Sequence, residues 1–153
     1  MKWQVIRESL AILAVIASLI FVGIEVQQNT AATRGQTRQD LTALNQEWLT
    51  LLTADKEFAE LFTRAWVRGG NVKPEEETRV EMMMVLQFRR QENVFFQYQE
   101  GLVDESALKS YGLHHYNLEW FTRPRFKTWW SRWRSAFHPE FAKFIEAGVN
   151  IKP

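Results

Sequence analysis

Glu92 is the first candidate for chemistry in this chain, because its carboxylate lies within an apolar stretch. On a helix, Glu92 shares a sector with Val85, Phe88 and Phe95. A carboxylate there needs an arginine or a hydrogen-bond donor inside the fold, because an unpaired buried charge is costly. One reading is a buried polar site for acid–base chemistry, formed by Glu92 and its neighbour Asn93. The other is a structural buried pair between Glu92 and that arginine or donor, and we favour this second reading.

A metal site is the second chemistry to consider. His115 and Glu119 are four residues apart, so a helix would present both on one face, with His114 beside them. Two ligands do not complete a metal site, and the sequence lacks the paired Glu-x-x-His motifs of carboxylate-bridged bundles. We therefore predict no metal and no cofactor, with His115 and Glu119 as weak candidate ligands.

Other catalytic signatures are missing from the sequence. The chain has no cysteine, which excludes disulfides, thiolate catalysis and cysteine-ligated metals. It has no Gly-x-Ser-x-Gly elbow and no glycine-rich phosphate loop. We predict no catalytic residue, and the sequence favours a protein that is not an enzyme.

Residues 120–137 combine aromatic rings on one helical face with basic residues at both margins. Phe126, Trp129 and Trp133 fall within a sector of about 100° on a helical wheel. This pattern is typical of a helix at a lipid interface, and equally of a helix packed on a bundle with its arginine stems over the core edge. The net charge of +1 argues against nucleic acid as a partner. The predicted lipid-headgroup or packing face comprises Arg125, Phe126, Lys127, Trp129, Trp130, Arg132, Trp133 and Arg134.

An N-terminal hydrophobic run indicates a membrane anchor. Residues 9–24 carry no charge. At about 1.5 Å per residue they cover about 24 Å, which is short of a hydrocarbon core of about 30 Å. Residues 3–26 suffice if Arg7 extends its charge towards the headgroups. The alternatives are a cleaved signal peptide and a buried core helix, and we predict a retained transmembrane helix at residues 3–26.

One face of this helix carries its small and ionisable residues, within about 60° of one another. Small residues let helices approach closely, and ionisable residues in a membrane usually face protein. The alternative is that Arg7 and Glu25 lie at the two interfaces and the small residues are incidental. We predict an oligomer interface formed by Arg7, Ala11, Ala14, Ser18 and Glu25.

The rest of the chain has helical periodicity and no strand alternation. Aspartates before apolar periodic segments predict N-caps, prolines mark helix starts, and glycine marks a helix end. These boundary residues are Asp55, Asp104, Pro74, Pro124, Pro139 and Gly101.

The predicted fold is all-α, with an N-terminal transmembrane helix running into a small bundle of about five helices. The predicted domains are the transmembrane helix at 3–26, its helical continuation out of the membrane at 27–53, and a soluble bundle at 54–153.

Three motifs are distinctive in this chain. They are residues 24–32 (IEVQQNTAA), residues 92–104 (ENVFFQYQEGLVD), and residues 130–134 (WSRWR) followed by Phe137. Together they resemble a widespread group of bacterial single-span, membrane-anchored helical proteins of unknown function, over nearly the whole chain. The resemblance implies a single-pass protein of the bacterial inner membrane with a cytoplasmic helical domain, and it implies no activity.

The residues themselves leave the orientation open, because two basic residues, Lys2 and Arg7, precede the charge-free run at 9–24 and two, Arg34 and Arg38, follow it. We predict a non-enzymatic, membrane-anchored helical module that self-associates or attaches to a membrane complex. Its expected partners are the lipid bilayer and either a second copy or another membrane protein. The alternative is an enzyme or small-ligand carrier with a pocket near Glu92 and His115.

Overall fold

Helices make up nearly all of the chain that can be described. The computed structural model describes residues 2–111 and 123–150, without the side chains of residues 2, 5 and 148–150. No strand occurs within these two ranges, which confirms the all-α class. The α-helices are α1 (Lys2–Ala54), α2 (Lys56–Phe62), α3 (Glu77–Gln99), α4 (Glu105–Ser110), α5 (Pro124–Trp133) and α6 (Pro139–Asn150). Shorter helical turns lie at Thr63–Val67, Pro74–Glu76 and Arg134–Ala136.

Local signals place most of these boundaries. Asp55 accepts the Phe58 N–H at 2.9 Å, and Asp104 accepts the Ala107 N–H at 3.2 Å, so both aspartates are N-caps as predicted. Gly101 has a φ of 70°, a left-handed conformation that ends α3 at little cost only for glycine.

The chain divides into two compact units, residues 1–37 and 38–153. In the first unit α1 exposes its apolar side chains. In the second unit the C-terminal part of α1 is a member of the bundle, because Leu41 and Trp48 are buried in its core. The compact unit therefore begins at residue 38, within the stretch expected to be a separate helical continuation.

Helix α3 lies at the centre of the second unit, and Phe88 lies at the centre of its aromatic core. Phe88 is 0% exposed, and the rings of five aromatic residues have centroids 5.2–6.4 Å from its own. Those rings come from α5, α6 and the segment between them, so α3 is the surface on which the C-terminal helices pack. They belong to Phe126, Trp129, Trp130, Phe137 and Phe141.

A second aromatic group joins α1 to α2. The Trp48 ring meets Phe58 and Phe62 edge-on, with centroids 5.7 and 5.4 Å apart. Edge-to-face contacts of this kind add to the free energy gained by burying the rings. This contact holds the C-terminal part of α1 against the bundle.

Candidate functional site

Glu92 holds the start of α6 onto α3. Its side chain is buried, and one carboxylate oxygen accepts a hydrogen bond from Arg89 at 2.5 Å. The other oxygen accepts the backbone N–H of His138 at 2.7 Å. Arg89 also donates to the Ala136 carbonyl at 2.5 Å and lies 5.0 Å from the centroid of the Phe137 ring. Both oxygens of Glu92 therefore have partners within the protein.

A shallow surface depression borders this carboxylate. The His138 ring lies at its rim, perpendicular to Phe96 with a centroid distance of 4.9 Å. His138 Nδ1 accepts the backbone N–H of Glu140 at 3.3 Å, and Asn93 accepts a hydrogen bond from Gln97 at 3.4 Å. These polar groups are bonded to neighbouring parts of the chain, so the arrangement caps and clamps a helix.

The predicted metal ligands His115 and Glu119, with His114, lie outside the described residues. Within residues 2–111 and 123–150, no group of three or more histidine, aspartate or glutamate side chains could hold a metal ion.

Within the segment 120–137, the structure describes residues 123–137, and the aromatic face of α5 packs inward. Phe126, Trp129 and Trp130 of α5 are 1%, 2% and 8% exposed, and Trp133 is half-buried. Each indole N–H donates to the protein: Trp129 to the Glu81 carbonyl at 3.2 Å, Trp133 to the Glu81 carboxylate at 3.2 Å, and Trp130 to Glu146 at 3.1 Å. The rings are thus held by α3 and α6 through both apolar contact and hydrogen bonds.

The arginines at the margins of α5 form ion pairs with acids on the same two helices. Arg125 lies 3.1 Å from Glu77, Arg132 pairs with Glu81, and Arg134 lies 2.5 Å from Glu146. The hydrogen bond from Arg134 lowers the pKa of Glu146 below its ordinary value, and the bond from Trp130 adds to the shift. Lys127 is exposed.

The partner acids of α5 were missed by sequence reasoning. Glu77 and Glu81 are four residues apart on α3, which places them on one face, but no local signal assigns them to arginines about 50 residues away. Glu146 lies on α6, which likewise meets α5 only in the folded chain.

A cleft of about 690 Å³ lies elsewhere in the second unit, lined by residues of α1, α2 and α3, by the turn at Thr63–Val67, and by Ser110, Tyr111 and Arg123. Trp48, Leu52 and Phe62 contribute apolar surface. The polar lining includes Arg90, which donates to the side-chain oxygens of Asn45 and of Gln87, the latter at 3.1 Å. The sequence did not predict this cleft, because its lining comes from positions far apart in the chain.

Gln91 is a further polar residue that sequence reasoning missed. It is 0% exposed, and neither its amide oxygen nor its amide nitrogen has a hydrogen-bond partner among the residues that the structure describes. Gln87, one turn earlier, is also buried but accepts from Arg90. Burying the side chain of Gln91 therefore costs more free energy than burying that of Gln87.

The residues predicted to form the oligomer interface in the membrane lie on the part of α1 that belongs to the first unit. Ser18 donates its hydroxyl to the Ala14 carbonyl at 2.9 Å, so this hydroxyl is satisfied within the helix. The large apolar side chains described between Ile6 and Val26 are 47–66% exposed. The segment is therefore not a core helix of this fold, and it is long and apolar enough to cross a membrane.

Comparison with protein-family models, with curated proteins and with solved structures found no match for this chain.

Proposed function

We propose that this protein is a membrane-anchored helical module without enzymatic activity that self-associates or attaches to a membrane complex. The observation that carries the proposal is the exposure of the apolar side chains between Ile6 and Val26. Contiguous apolar surface of this extent is unfavourable in water and marks a membrane or protein contact. At about 1.5 Å per residue, residues 3–26 cover about 36 Å, enough to cross a hydrocarbon core of about 30 Å.

The polar clusters of the second unit support a non-enzymatic role. Glu92 is bonded to Arg89 and His138. Arg125 of α5 is paired with an acid of α3, and Arg134, directly after α5, is paired with an acid of α6. A general acid, base or nucleophile must reach a substrate. These groups are instead used to hold helices together.

Self-association is supported by the face that carries Ala11, Ala14 and Ser18 on the span. In lipid, helices gain no hydrophobic drive from each other, so close packing and polar pairing must supply the association. Arg7 and Glu25 cannot pair within one helix, because 18 residues span about 27 Å. Each requires a headgroup, water or a neighbouring helix.

The proposed location is the inner membrane of a bacterium, with residues 38–153 in the cytoplasm, as the resemblance implies. Because the chain has no cysteine, one cysteine placed at exposed Lys109 provides a unique label. Labelling of intact cells by a membrane-impermeant thiol reagent would place the second unit outside the cytoplasm and overturn this orientation.

Membrane fractionation tests the anchor. We expect the full-length chain, including residues 9–24, to stay in the membrane through a carbonate wash and to be released by detergent. Replacing Leu13 and Ile16 with arginine puts two charges at the centre of the span, at a cost of about 2.5–3.5 kcal/mol each, and should abolish insertion. Thr30→Arg with Thr33→Arg, outside the apolar run, is the matched control. Release of the unmodified chain by carbonate would contradict the proposal.

A small-ligand carrier is the second candidate function, and the cleft lined by Trp48, Phe62 and Arg90 favours it. Its volume is within the usual range for ligand pockets, about 300–1,000 Å³, and it combines apolar walls with a few polar groups. Native mass spectrometry of the chain purified in mild detergent tests this function. A bound small molecule that is lost from Leu52→Trp would support a carrier, and an unliganded chain would favour the module.

A further inference from the structure

An apolar groove runs between α1 and α3 on the surface of the second unit. Leu44 and Leu51 of α1 and Leu86 of α3 line it, and its volume is about 210 Å³. Leu44 is 39% exposed and Leu86 is 49% exposed. Met82 precedes Leu86 by one turn on the same face of α3 and is 39% exposed. Grouped exposed apolar residues are typical of surfaces that bind another protein.

Two opposite charges border this groove, one from each helix. Glu47 lines it from α1, and Arg89 lines it from α3. Asn45, two residues before Glu47, accepts a hydrogen bond from Arg90, the residue after Arg89. This bond between α1 and α3 places Glu47 and Arg89 near the same level along the groove. Arg89 bonds to Glu92 and to the Ala136 carbonyl through its two terminal nitrogens, and half of its side chain is still exposed.

We propose that a second copy of this chain covers the groove, with the same residues contributed by both copies. A two-fold axis parallel to the groove keeps every residue at its own height along the groove, so residues of one copy face residues of the other copy at the same height. Glu47 then meets Arg89 of the partner subunit, and the reverse pair forms by symmetry. The leucines of the two grooves pack against each other between these ion pairs.

The surface suits a second copy because a two-fold interface must be complementary to itself. An acid on one margin and a base on the other, at equal height, satisfy that requirement, whereas a groove with one sign of charge would repel its own copy. The apolar contact stabilises the pair, and the exposed ion pairs set its register. The inference rests on the self-association proposed above, since chains held in one membrane meet at a high effective concentration.

Disulfide crosslinking of full-length chains in native membranes tests the pairing directly, because the natural chain contributes no thiol of its own. Differently tagged Glu47→Cys and Arg89→Cys chains are co-expressed and oxidised. We expect a heterodisulfide between them, and none between Glu47→Cys and Lys109→Cys. Since Arg89→Cys also removes a partner of Glu92, Glu47→Cys with Leu86→Cys provides a second pair that leaves the Glu92 contacts intact.

A matched pair of substitutions tests whether the leucines form the contact. Leu86 and Leu49 are both 49% exposed, but only Leu86 lines the groove. We expect Leu86→Glu to abolish the Glu47→Cys/Arg89→Cys heterodisulfide and Leu49→Glu to leave it unchanged. Equal loss with both variants would overturn the assignment.

The remaining outcomes separate this inference from the proposed function. If an amine-reactive crosslinker traps oligomers but the groove cysteines form no disulfide, the groove inference is wrong and self-association survives. If the groove cysteines link to a chain of different mass, another protein occupies the groove and the second copy is excluded. If no oligomer is trapped by either method, the groove inference fails together with the self-association on which it rests, and the proposed function is left with attachment to a membrane complex.

Discussion

The carboxylate of Glu92 accepts the backbone N–H of His138 at 2.7 Å, which joins the middle of α3 to the start of α6 across 46 residues of sequence. Helix α6 begins at Pro139, which has no N–H to offer, and a negative charge near the first turn of a helix is favourable. Glu92 therefore caps another helix from within α3, and Arg89 balances its charge.

Removing this cap should destabilise the second unit. We expect Glu92→Ala to lower the free energy of unfolding by about 1–3 kcal/mol, because it leaves the His138 N–H without its acceptor. Glu92→Gln keeps an acceptor and should cost less. Urea denaturation of the full chain in mild detergent, followed by tryptophan fluorescence, measures the difference. The exposed Glu100→Ala is the control, and an equal effect there would contradict a capping role.

The indole of Trp129 should contribute more to stability than that of Trp133. Truncating a buried Trp to alanine costs about 3–5 kcal/mol, so we expect Trp129→Ala in that range and Trp133→Ala below it, because Trp133 is half-buried. Thermal denaturation of the full chain compares the two variants. If Trp129→Ala instead left stability intact and weakened vesicle binding, the ring would belong to a lipid-contacting face.

Replacing Gln91 should, in contrast, stabilise the fold. Its buried amide has no partner among the described residues, so Gln91→Met removes an unsatisfied group and keeps a similar volume. We expect the free energy of unfolding to rise by about 1 kcal/mol. Gln87→Met is the matched control, and it should lower stability because Gln87 accepts from Arg90. Destabilisation by both changes would show that the Gln91 amide is bonded in solution.

Acid should destabilise the fold through carboxylates that are bonded in the native state. Hydrogen bonds lower the pKa of three of them: from Arg134 to Glu146, from the Lys73 N–H to Glu76, and from the Ser106 hydroxyl to Asp104. A lowered folded pKa contributes stability that is present above the unfolded value, 4.5 for a glutamate, and is lost as the pH falls through the folded pKa.

We therefore expect the melting temperature to fall steadily below about pH 4.5. Glu146→Gln should lower the melting temperature at neutral pH. It should also make the fall of the melting temperature in acid shallower, because the contribution of the Glu146 carboxylate is already lost. A titration curve of unchanged slope in Glu146→Gln would contradict the assignment to the pair with Arg134.

Replacing Ala14 and Ser18 with leucine should separate the chains in the membrane. The added bulk prevents close approach on the predicted face, while the span stays apolar enough to insert. Amine crosslinking in native membranes measures the oligomer. Gly23→Leu adds bulk on the opposite side of the helix, where a Cβ has open space, and should leave the oligomer intact. Oligomers that persist in the Ala14→Leu, Ser18→Leu chain would move the interface to another surface, such as the groove of the second unit.

The sequence by itself determined the helices and many of their ends. Aspartates 55 and 104 act through a side chain that reaches a backbone N–H three residues on, and Gly101 acts through its own φ. Such signals operate within one helical turn, so they can be recognised from the sequence without the rest of the fold. The charge-free run at residues 9–24 is local in the same sense.

Only the tertiary structure decided what the polar residues do. The sequence showed that Glu92 needed a partner, and Arg89 at three residues' distance was within local reach, but the His138 N–H comes from 46 residues away. The arginines of α5 were equally suited to lipid headgroups or to acids, until α3 brought Glu77 and Glu81 beside them. Local patterns show which groups need a partner, whereas packing of helices distant in sequence selects that partner.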